Sequence, residues 1–194
     1  MFSTWYYWGG TGGFCWPFPC EALYGVINQS IDGGVTWSTV TVEWETYSSF
    51  VLSPINANDG YFHIHRGVDT VYRMATGVEY SFPVASFVLD AVDTERLFGV
   101  NENLTAGQTS ANAGKTWTPW ASFPQSACVQ LMAHPSQTNT LYLQCQAGLF
   151  RSTNGGNTWT QITTLHGDTL APHLGNPGQL LWGHDGCLYA STNN

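Results

Sequence analysis

Two acidic residues in the middle of the chain, Asp90 and Glu102, carry the side chains that general acid–base chemistry requires. Cleavage of a glycosidic bond needs two carboxyl groups that face each other across that bond. Asp90 lies inside the apolar segment 87–92, which is an unusual place for a carboxylate. We take both residues as catalytic candidates. The alternative interpretation is that Asp90 lies at the end of a loop and bonds to a neighbour.

Two histidines, His63 and His65, are separated by a single residue. On a β-strand this spacing puts both imidazoles on one face, and with further ligands from elsewhere they could hold a metal ion. A solvated or hydrogen-bonded pair is the favoured interpretation, because two histidines alone do not complete a metal site. The sequence therefore predicts no metal and no cofactor, with His63 and His65 as the candidates for a metal.

Aromatic residues are numerous, with nine Trp, nine Tyr and ten Phe. Trp and Tyr present a broad apolar face together with a polar group, which suits stacking on a sugar ring. Packing between repeated units is the competing interpretation and the favoured one. The candidates for a ligand platform are the tryptophans outside the repeat motif described next: Trp8, Trp16, Trp44, Trp120 and Trp182.

An eight-residue pattern, Ser-x-(Asp/Asn)-x-Gly-x-Thr-Trp, occurs three times and indicates a repeat protein. A fourth copy begins at Ser191, and segment 71–80 looks like a decayed copy, so that the period is roughly 40 residues. Asp or Asn, Gly and Ser are turn-forming residues, so each copy predicts a hairpin turn rather than a catalytic site. The turn residues are Ser30, Asp32, Gly34, Thr36 and Trp37; Ser110, Asn112, Gly114, Thr116 and Trp117; and Ser152, Asn154, Gly156, Thr158 and Trp159.

The pattern resembles the Asp-box, or BNR repeat, of sialidases, sortilin-type receptor domains, xyloglucan-degrading hydrolases and a related photosystem II assembly factor. The resemblance implies an all-β fold, a small β-propeller of about five four-stranded blades of roughly 40 residues. It implies a single domain over residues 1–194, with units centred near positions 30, 74, 110, 152 and 191. Function does not follow from the resemblance, because one fold hosts many activities.

Sialidase activity in particular is not expected. Sialidases with this repeat use three arginines for the substrate carboxylate. This chain has Arg66, Arg73, Arg96 and Arg151, and two of these, Arg73 and Arg151, occupy equivalent positions beside the repeated turn. We interpret those two as repeat residues.

The fourth unit shows how the strands should run. Four strand-like segments are separated by turn residues, at 128–134, 140–146, 148–153 and 158–163. The second and third units repeat this order, and the third strand of the third unit is expected over 104–109.

The two ends of the chain carry complementary halves of one motif. The last copy stops after its first residues, whereas Thr4-Trp5 matches the missing part. We predict that the N-terminal strand completes the last blade and closes the ring, which would remove exposed sheet edges. Two alternatives are that residues 6–12 form the first strand of the first blade, or that two chains exchange their ends. The chain could also form part of a larger propeller completed by oligomerisation.

The composition narrows the choice of partners. Charged residues make up 9% of the 194 residues, and five Lys and Arg stand against thirteen Asp and Glu, for a net charge of −8. Nucleic acid is therefore excluded as a partner, because binding it requires clustered cations. No apolar run is long enough for a membrane span. The polarity comes from neutral side chains, which favours an extracellular or cell-surface protein. No signal peptide is visible at the N-terminus, so a cytoplasmic location is the alternative.

The five cysteines allow a bridge but leave at least one thiol free. Cys15 and Cys20 flank a short Pro-containing stretch and could approach closely enough to form a disulfide. The other three, Cys128, Cys145 and Cys187, fall in strand-like segments and are interpreted as small buried apolar residues.

Two functions are compatible with these observations. The main prediction is a non-enzymatic recognition module that binds a glycan or a protein through one face of the propeller. The alternative is a glycan-active hydrolase or lyase that uses carboxylates near the central channel. A homo-oligomer is compatible with either function.

Overall fold

A computed structural model describes most of the chain, and every regular element in the described part is a β-strand. The described residues are 2–9, 14–15, 18–19, 22–30, 34–43, 46–56, 59–65, 69–81, 83–124, 127–165, 167, 169–172, 179–184 and 186–191. These residues include no helix of the length and apolarity that crossing a membrane requires.

In the described part of the chain the strands pair only in antiparallel fashion, mostly with a neighbour in sequence. In the first part of the chain they are β1 (Phe2–Gly9), β2 (Phe14–Cys15), β3 (Phe18–Pro19), β4 (Ala22–Gln29), β5 (Ser38–Glu43), β6 (Thr46–Leu52), β7 (Gly60–His65), β8 (Asp69–Arg73) and β9 (Val78–Ser81). The remaining strands are β10 (Ser86–Leu89), β11 (Leu97–Val100), β12 (Gly107–Ser110), β13 (Thr118–Pro119), β14 (Cys128–Ala133), β15 (Leu141–Cys145), β16 (Gly148–Ser152), β17 (Thr160–Thr163), β18 (Thr169–Pro172), β19 (Leu180–His184) and β20 (Cys187–Ala190).

Six sheets are described: a two-stranded sheet of β2 and β3, and five larger sheets, the first to the fifth, that succeed one another along the chain. The second, third and fourth sheets are four-stranded and have their strands in chain order, β6 to β9, β10 to β13 and β14 to β17. The first strands of neighbouring sheets, β6, β10, β14 and β18, contact each other in turn. Sheets that meet along their first strands fan outwards, which is the arrangement of propeller blades. The predicted all-β class with four-stranded units is confirmed.

The core consists of separate layers between consecutive sheets. One layer joins the second and third sheets, and its largest buried residues are Tyr61, Phe87 and Leu97. A second joins the third and fourth sheets around Phe98, Leu141 and Leu143, and a third joins the fourth and fifth around Met132, Tyr142, Leu149, Leu170 and Leu180. Middle strands such as β11 and β15 are buried on both faces, which explains why their sequences are largely apolar.

The predicted closure of the ring by the N-terminal strand is wrong. Strand β1 pairs with β4 over its whole length, from Phe2 opposite Gln29 to Gly9 opposite Ala22. It therefore belongs to the first sheet, which has the order β1-β4-β5. A hairpin with a partner nearby in the chain avoids the loop-closure entropy of a pairing across the whole chain. Among the described residues, the first sheet and the last sheet, β18 to β20, have three strands each.

Two cysteines interpreted as free apolar residues form a disulfide. Cys128 and Cys145 are directly opposite each other on β14 and β15, and their sulfurs are bonded. Both residues are buried as predicted, but the pairing depends on strand register, which cysteine spacing does not reveal. Cys187 is a free thiol and is exposed rather than buried. The proposed Cys15–Cys20 bridge lies outside the described residues.

Candidate functional site

The eight-residue turns at 110–117 and 152–159 have the same pattern of internal hydrogen bonds. In the first of them, the backbone N–H of Gly114 donates to Ser110 Oγ at 2.8 Å. Asn112 Oδ1 accepts from the N–H of Thr116 at 2.9 Å, and Asn112 Nδ2 donates to Thr116 Oγ1 at 2.9 Å. The second turn has the same bonds among Ser152, Asn154, Gly156 and Thr158. The Asn side chain thus spans four residues and uses both of its amide atoms inside the turn, where no charge is needed.

Each turn also requires two consecutive residues with positive φ. These are Gly155 at 69° and Gly156 at 92° in one turn, and Ala113 at 61° and Gly114 at 88° in the other. Alanine in the left-handed region is strained by its Cβ, yet the buried methyl of Ala113 packs in the layer between the second and third sheets. The turns at 110–117 and 152–159 therefore serve folding.

The two catalytic candidates are not brought together. Asp90 lies at one end of β11, in the link that precedes it, and Glu102 lies in the turn beyond the other end of that strand. Asp90 is 1% exposed, and its carboxylate accepts hydrogen bonds from Val92 N, Asn139 N and Thr138 Oγ1. It fastens the third sheet to the link between β14 and β15. Glu102 is exposed.

The repeat explains why a buried carboxylate occurs at position 90. The equivalent residues in the second and fourth sheets are Ser53 and His134, because all three donate a backbone N–H to the residue just before the next strand. Each side chain also accepts backbone N–H groups of its own link: Ser53 Oγ from Asn56, Asp90 Oδ1 from Val92, and His134 Nδ1 from Ser136 and Gln137. The fold requires a hydrogen-bond acceptor at this position, and the three sheets supply it as Ser, Asp and His.

Only two of the five candidate tryptophans have described side chains. Trp120 is buried, stacks on Phe123 at 5.9 Å between ring centroids, and donates Nε1–H to Thr109 Oγ1 at 2.8 Å. It is a packing residue. Trp182 is half-buried and lies against Tyr189 at 6.2 Å in the last sheet. Trp8 is in β1, but its side chain is outside the described part, and Trp16 and Trp44 are outside it entirely.

The histidine candidates do not form a metal site within the described part of the chain. His63 is buried on β7, and the side chain of His65 on the same strand is not described. Among the described residues, no three His, Cys, Asp or Glu side chains are grouped so that they could hold an ion.

The layer between the second and third sheets is closed by a buried ion pair. Arg73 Nη2 donates to Asp59 Oδ2 at 2.8 Å, and Arg73 Nε reaches the same carboxylate. Nη1 of Arg73 contacts Glu95 Oε1 at 3.2 Å on the neighbouring sheet. The guanidinium lies 5.5 Å from the ring centroid of Tyr61, whose hydroxyl donates to Thr94 O at 2.7 Å. The hydrogen bond to Asp59 raises the pKa of Arg73, so this arginine stays charged.

A cleft of about 460 Å³ lies at the equivalent junction between the fourth and fifth sheets. Its walls are mainly apolar and aromatic, with a few polar groups, which is the composition of a ligand pocket. The described lining residues contain no carboxylate and are Tyr142, Leu149, Arg151, Ile162, Thr163, Leu165, Leu170, Leu180, Trp182, Tyr189, Ala190 and Ser191.

Arg151 is the cation of this cleft. Its guanidinium lies 6.0 Å from the ring centroid of Tyr142, as Arg73 lies over Tyr61. Nη2 of Arg151 donates to Gln137 Oε1 at 3.3 Å, whereas Nε is buried with no hydrogen-bond partner among the described atoms. Burial raises the pKa of Tyr142, and the charge of Arg151 lowers it in part. The phenol therefore stays neutral at physiological pH.

The sequence identified Arg151 as a repeat residue but gave no sign that it lines a cleft. The difference between the two repeats is that Thr140 occupies the position in the fourth sheet that Asp59 occupies in the second. Both residues accept the backbone N–H that closes their link, and both stand two positions before the tyrosine that contacts the arginine. Tyr189, the other aromatic wall residue, had no motif to mark it.

Known proteins similar to this chain include glycan-degrading enzymes. The chain is 25% identical over 160 residues to a xyloglucanase from Hypocrea jecorina, a match that covers 75% of this chain and 18% of that protein. No family model matches the chain.

Solved structures give the same fold. The Niastella koreensis GH74 enzyme superposes with a TM-score of 0.65 at 18% identity, over 89% of this chain and 28% of that one. The GH74 xyloglucanase from Xanthomonas campestris gives 0.61 at 15% identity, over 83% and 31%. The β-propeller fold is thereby established, and the chain spans less than a third of each of these proteins.

These similarities correct the main functional prediction. A non-enzymatic recognition module was expected, but the relative in sequence is a xyloglucanase and the structural neighbours are GH74 enzymes. Turn motifs and aromatic content, on which the prediction rested, report the propeller scaffold and not its use.

Proposed function

We propose that this chain belongs to a glycan hydrolase that acts on a β-glucan of the xyloglucan type, built on an Asp-box propeller. The observation that carries the proposal is the sequence similarity to a xyloglucanase over three quarters of the chain. The blade count and the Asp-box identity of the turns are part of this proposal.

We propose the cleft between the fourth and fifth sheets as the sugar-binding surface. Trp182 and Tyr189 offer ring faces, while Thr163 and Ser191 supply hydroxyl groups in the same lining. Aromatic walls with a few polar groups are what a sugar requires, since a pyranose has both apolar C–H faces and hydroxyl edges. The catalytic carboxylates lie outside this described lining, so the cleft binds the chain of sugars next to the point of cleavage.

An extracellular location follows from the same proposal. Polysaccharides of this kind are encountered outside the cell. The Cys128–Cys145 disulfide supports that location, because structural disulfides persist in oxidising compartments.

The experiment is to incubate the purified chain with soluble xyloglucan and to measure both affinity and the release of reducing ends. We expect Trp182→Ala to weaken binding about tenfold or more, which is roughly 1.4 kcal/mol. Trp37→Ala is the matched control, because Trp37 is 42% exposed and lies in another turn, outside the cleft. Binding and turnover that are unaffected by Trp182→Ala would contradict the proposed surface, and a chain without turnover on any glucan would contradict the hydrolase.

Glu102→Gln tests the exposed catalytic candidate, because the substitution touches no described hydrogen bond of Glu102. Loss of turnover with unchanged binding and unfolding would support a catalytic role. Asp90→Asn is less informative, since it removes acceptors that hold two sheets together.

A further inference from the structure

The cleft between the fourth and fifth sheets contains a cation that its own repeat does not neutralise. Arg73 and Arg151 occupy the same position of the repeat, each paired across the strand with a tyrosine, Tyr61 or Tyr142. Arg73 meets the carboxylate of Asp59. In the fourth sheet the residue in the place of Asp59 is Thr140, whose hydroxyl donates to Thr138 O and carries no charge.

The hydrogen bonds of Arg151 leave capacity for a ligand. Its single described side-chain bond, to Gln137 Oε1, is to a neutral acceptor at 3.3 Å. Its buried Nε has no described acceptor. A buried donor without an acceptor is unfavourable, and a guanidinium fits a carboxylate through two parallel N–H···O bonds. A carboxylate that enters the cleft would supply what Asp59 supplies to Arg73.

The surroundings of Arg151 favour a cyclic ligand. Trp182 and Tyr189 line the same cleft, and its volume of about 460 Å³ is enough for one or two sugar rings.

We propose that the cleft binds a uronic acid, the carboxylate-bearing sugar of an acidic glycan. The carboxylate pairs with the guanidinium of Arg151, and the sugar ring packs on Trp182 and Tyr189. That the ligand is a sugar rests on the proposed glycan function, and that it is acidic rests on Arg151. The inference makes the preferred substrate a glucan or xylan with acidic side branches.

The test is calorimetric titration of the full chain with a matched pair of oligosaccharides. One is a xylo-oligosaccharide that bears a glucuronic acid branch, and the other is the same molecule with the carboxylate reduced to the alcohol. We expect the acid to bind about tenfold more tightly than the alcohol. The difference should shrink at high salt, because ion pairs that are partly exposed are screened.

Variants assign that preference to Arg151. Arg151→Gln should abolish the preference, so that the acid and the alcohol bind with equal affinity. Arg151→Lys should restore only part of the preference, because an ammonium cannot form the two-bond pair. Arg96→Gln is the control, since Arg96 already bonds to Asn139 Oδ1 and Asp93 outside the cleft. Thermal unfolding of each variant checks that it is folded.

Two outcomes would overturn the inference. Equal affinity for acid and alcohol in the wild type would do so even if Arg151→Gln does not fold, and it would leave the proposed glucan function intact. An acid preference that survives in a folded Arg151→Gln variant would also overturn it. A failure of the proposed glucan function gives a different result from a failure of this inference, because the neutral xyloglucan oligosaccharide would then neither bind nor be cleaved.

Discussion

The junction between the second and third sheets and the junction between the fourth and fifth sheets are built on the same pair of side chains but differ in what surrounds them. At both, an arginine on the third strand of a sheet lies over a tyrosine of the second strand. Asp59, Thr94 and Glu95 close the first junction around Arg73, whereas Arg151 lines a cleft without a described carboxylate. On our proposal, the loss of one counter-charge makes the arginine of this repeat position a binding residue in the fourth sheet, whereas it is a structural residue in the second.

The largest expected effect comes from making the same substitution at both arginines. Arg73→Gln leaves Asp59 charged and 2% exposed, and breaking such a buried pair costs about 3–5 kcal/mol. Arg151→Gln removes one long hydrogen bond, 3.3 Å, from the guanidinium to a neutral acceptor and should cost about 1.5 kcal/mol or less. Urea denaturation of both variants measures the difference. Equal losses would contradict the comparison.

A double substitution makes this prediction stricter. Replacing the pair by Arg73→Met with Asp59→Leu removes both charges and keeps apolar volume. It should recover most of the stability that Arg73→Gln loses, because the penalty arises from the unpaired charge. A double variant as unstable as the single one would show that the hydrogen-bond geometry, and not the charge, holds this junction.

The second effect concerns the fourth sheet, which forms one wall of the cleft. Its first two strands are joined by the Cys128–Cys145 disulfide, with a sequence separation of 17. Replacing both cysteines by alanine should cost about 3 kcal/mol, because a loop of this length is constrained in the unfolded chain. Hydrogen exchange should show faster exchange in β14 and β15 and little change in β7 and β8. Uniform acceleration would contradict a local role.

The sequence predicted the strands of the middle sheets well, because their signals are local. Segments 140–146 and 148–153 were expected as strands, and β15 and β16 occupy Leu141–Cys145 and Gly148–Ser152. The third strand of the third sheet was expected to begin at Leu104. That residue has a φ of 46° and lies in a turn held by Asn101, so the strand begins at Gly107.

Features that depend on long-range pairing were not predictable. The placement of β1 beside β4 and the Cys128–Cys145 bridge both follow from register, which a motif count does not contain. Arg151 has no described carboxylate partner in its own sheet because Thr140 stands in the place of Asp59, and this difference has a meaning only once the structure places the arginine over its tyrosine. Of the candidate residues, Trp182 lines the cleft and Trp120 packs in the core, although their sequence contexts gave both the same role.

The third effect is a loss of stability at alkaline pH. Burial raises the pKa of Tyr61 and of Tyr142 above the ordinary value of about 10, and in each case the adjacent arginine offsets part of the rise. The folded state therefore keeps these protons when the unfolded chain releases them. The contribution is complete below pH 10 and is lost as the pH rises through each folded pKa, at no more than about 1.4 kcal/mol per pH unit for each tyrosine.

The two tyrosines should differ in the order in which they ionise. Carboxylates near Tyr61 raise its pKa further, whereas the pKa of Tyr142 is affected only by burial and Arg151. We expect phenolate absorbance to show Tyr142 ionising at the lower pH, with Tyr61→Phe and Tyr142→Phe used to assign the two transitions. The reverse order would mean that the cleft excludes water better than the closed junction does.

The smallest effect should come from Glu95→Gln, which removes the outer charge of the closed junction. The Glu95 side chain is 59% exposed and its contact with Arg73 Nη1 is 3.2 Å, so that water and salt screen the pair. Exposed pairs contribute about 0–1 kcal/mol. The backbone of Glu95 is held independently, because its carbonyl accepts from Ala113 N at 2.7 Å. We expect a loss below about 1 kcal/mol in low salt and less in high salt.

A loss as large as that of Arg73→Gln would mean that the link to the next sheet, rather than Asp59, closes the junction. The lack of a carboxylate equivalent to Asp59 in the fourth sheet would then not explain why Arg151 lines a cleft.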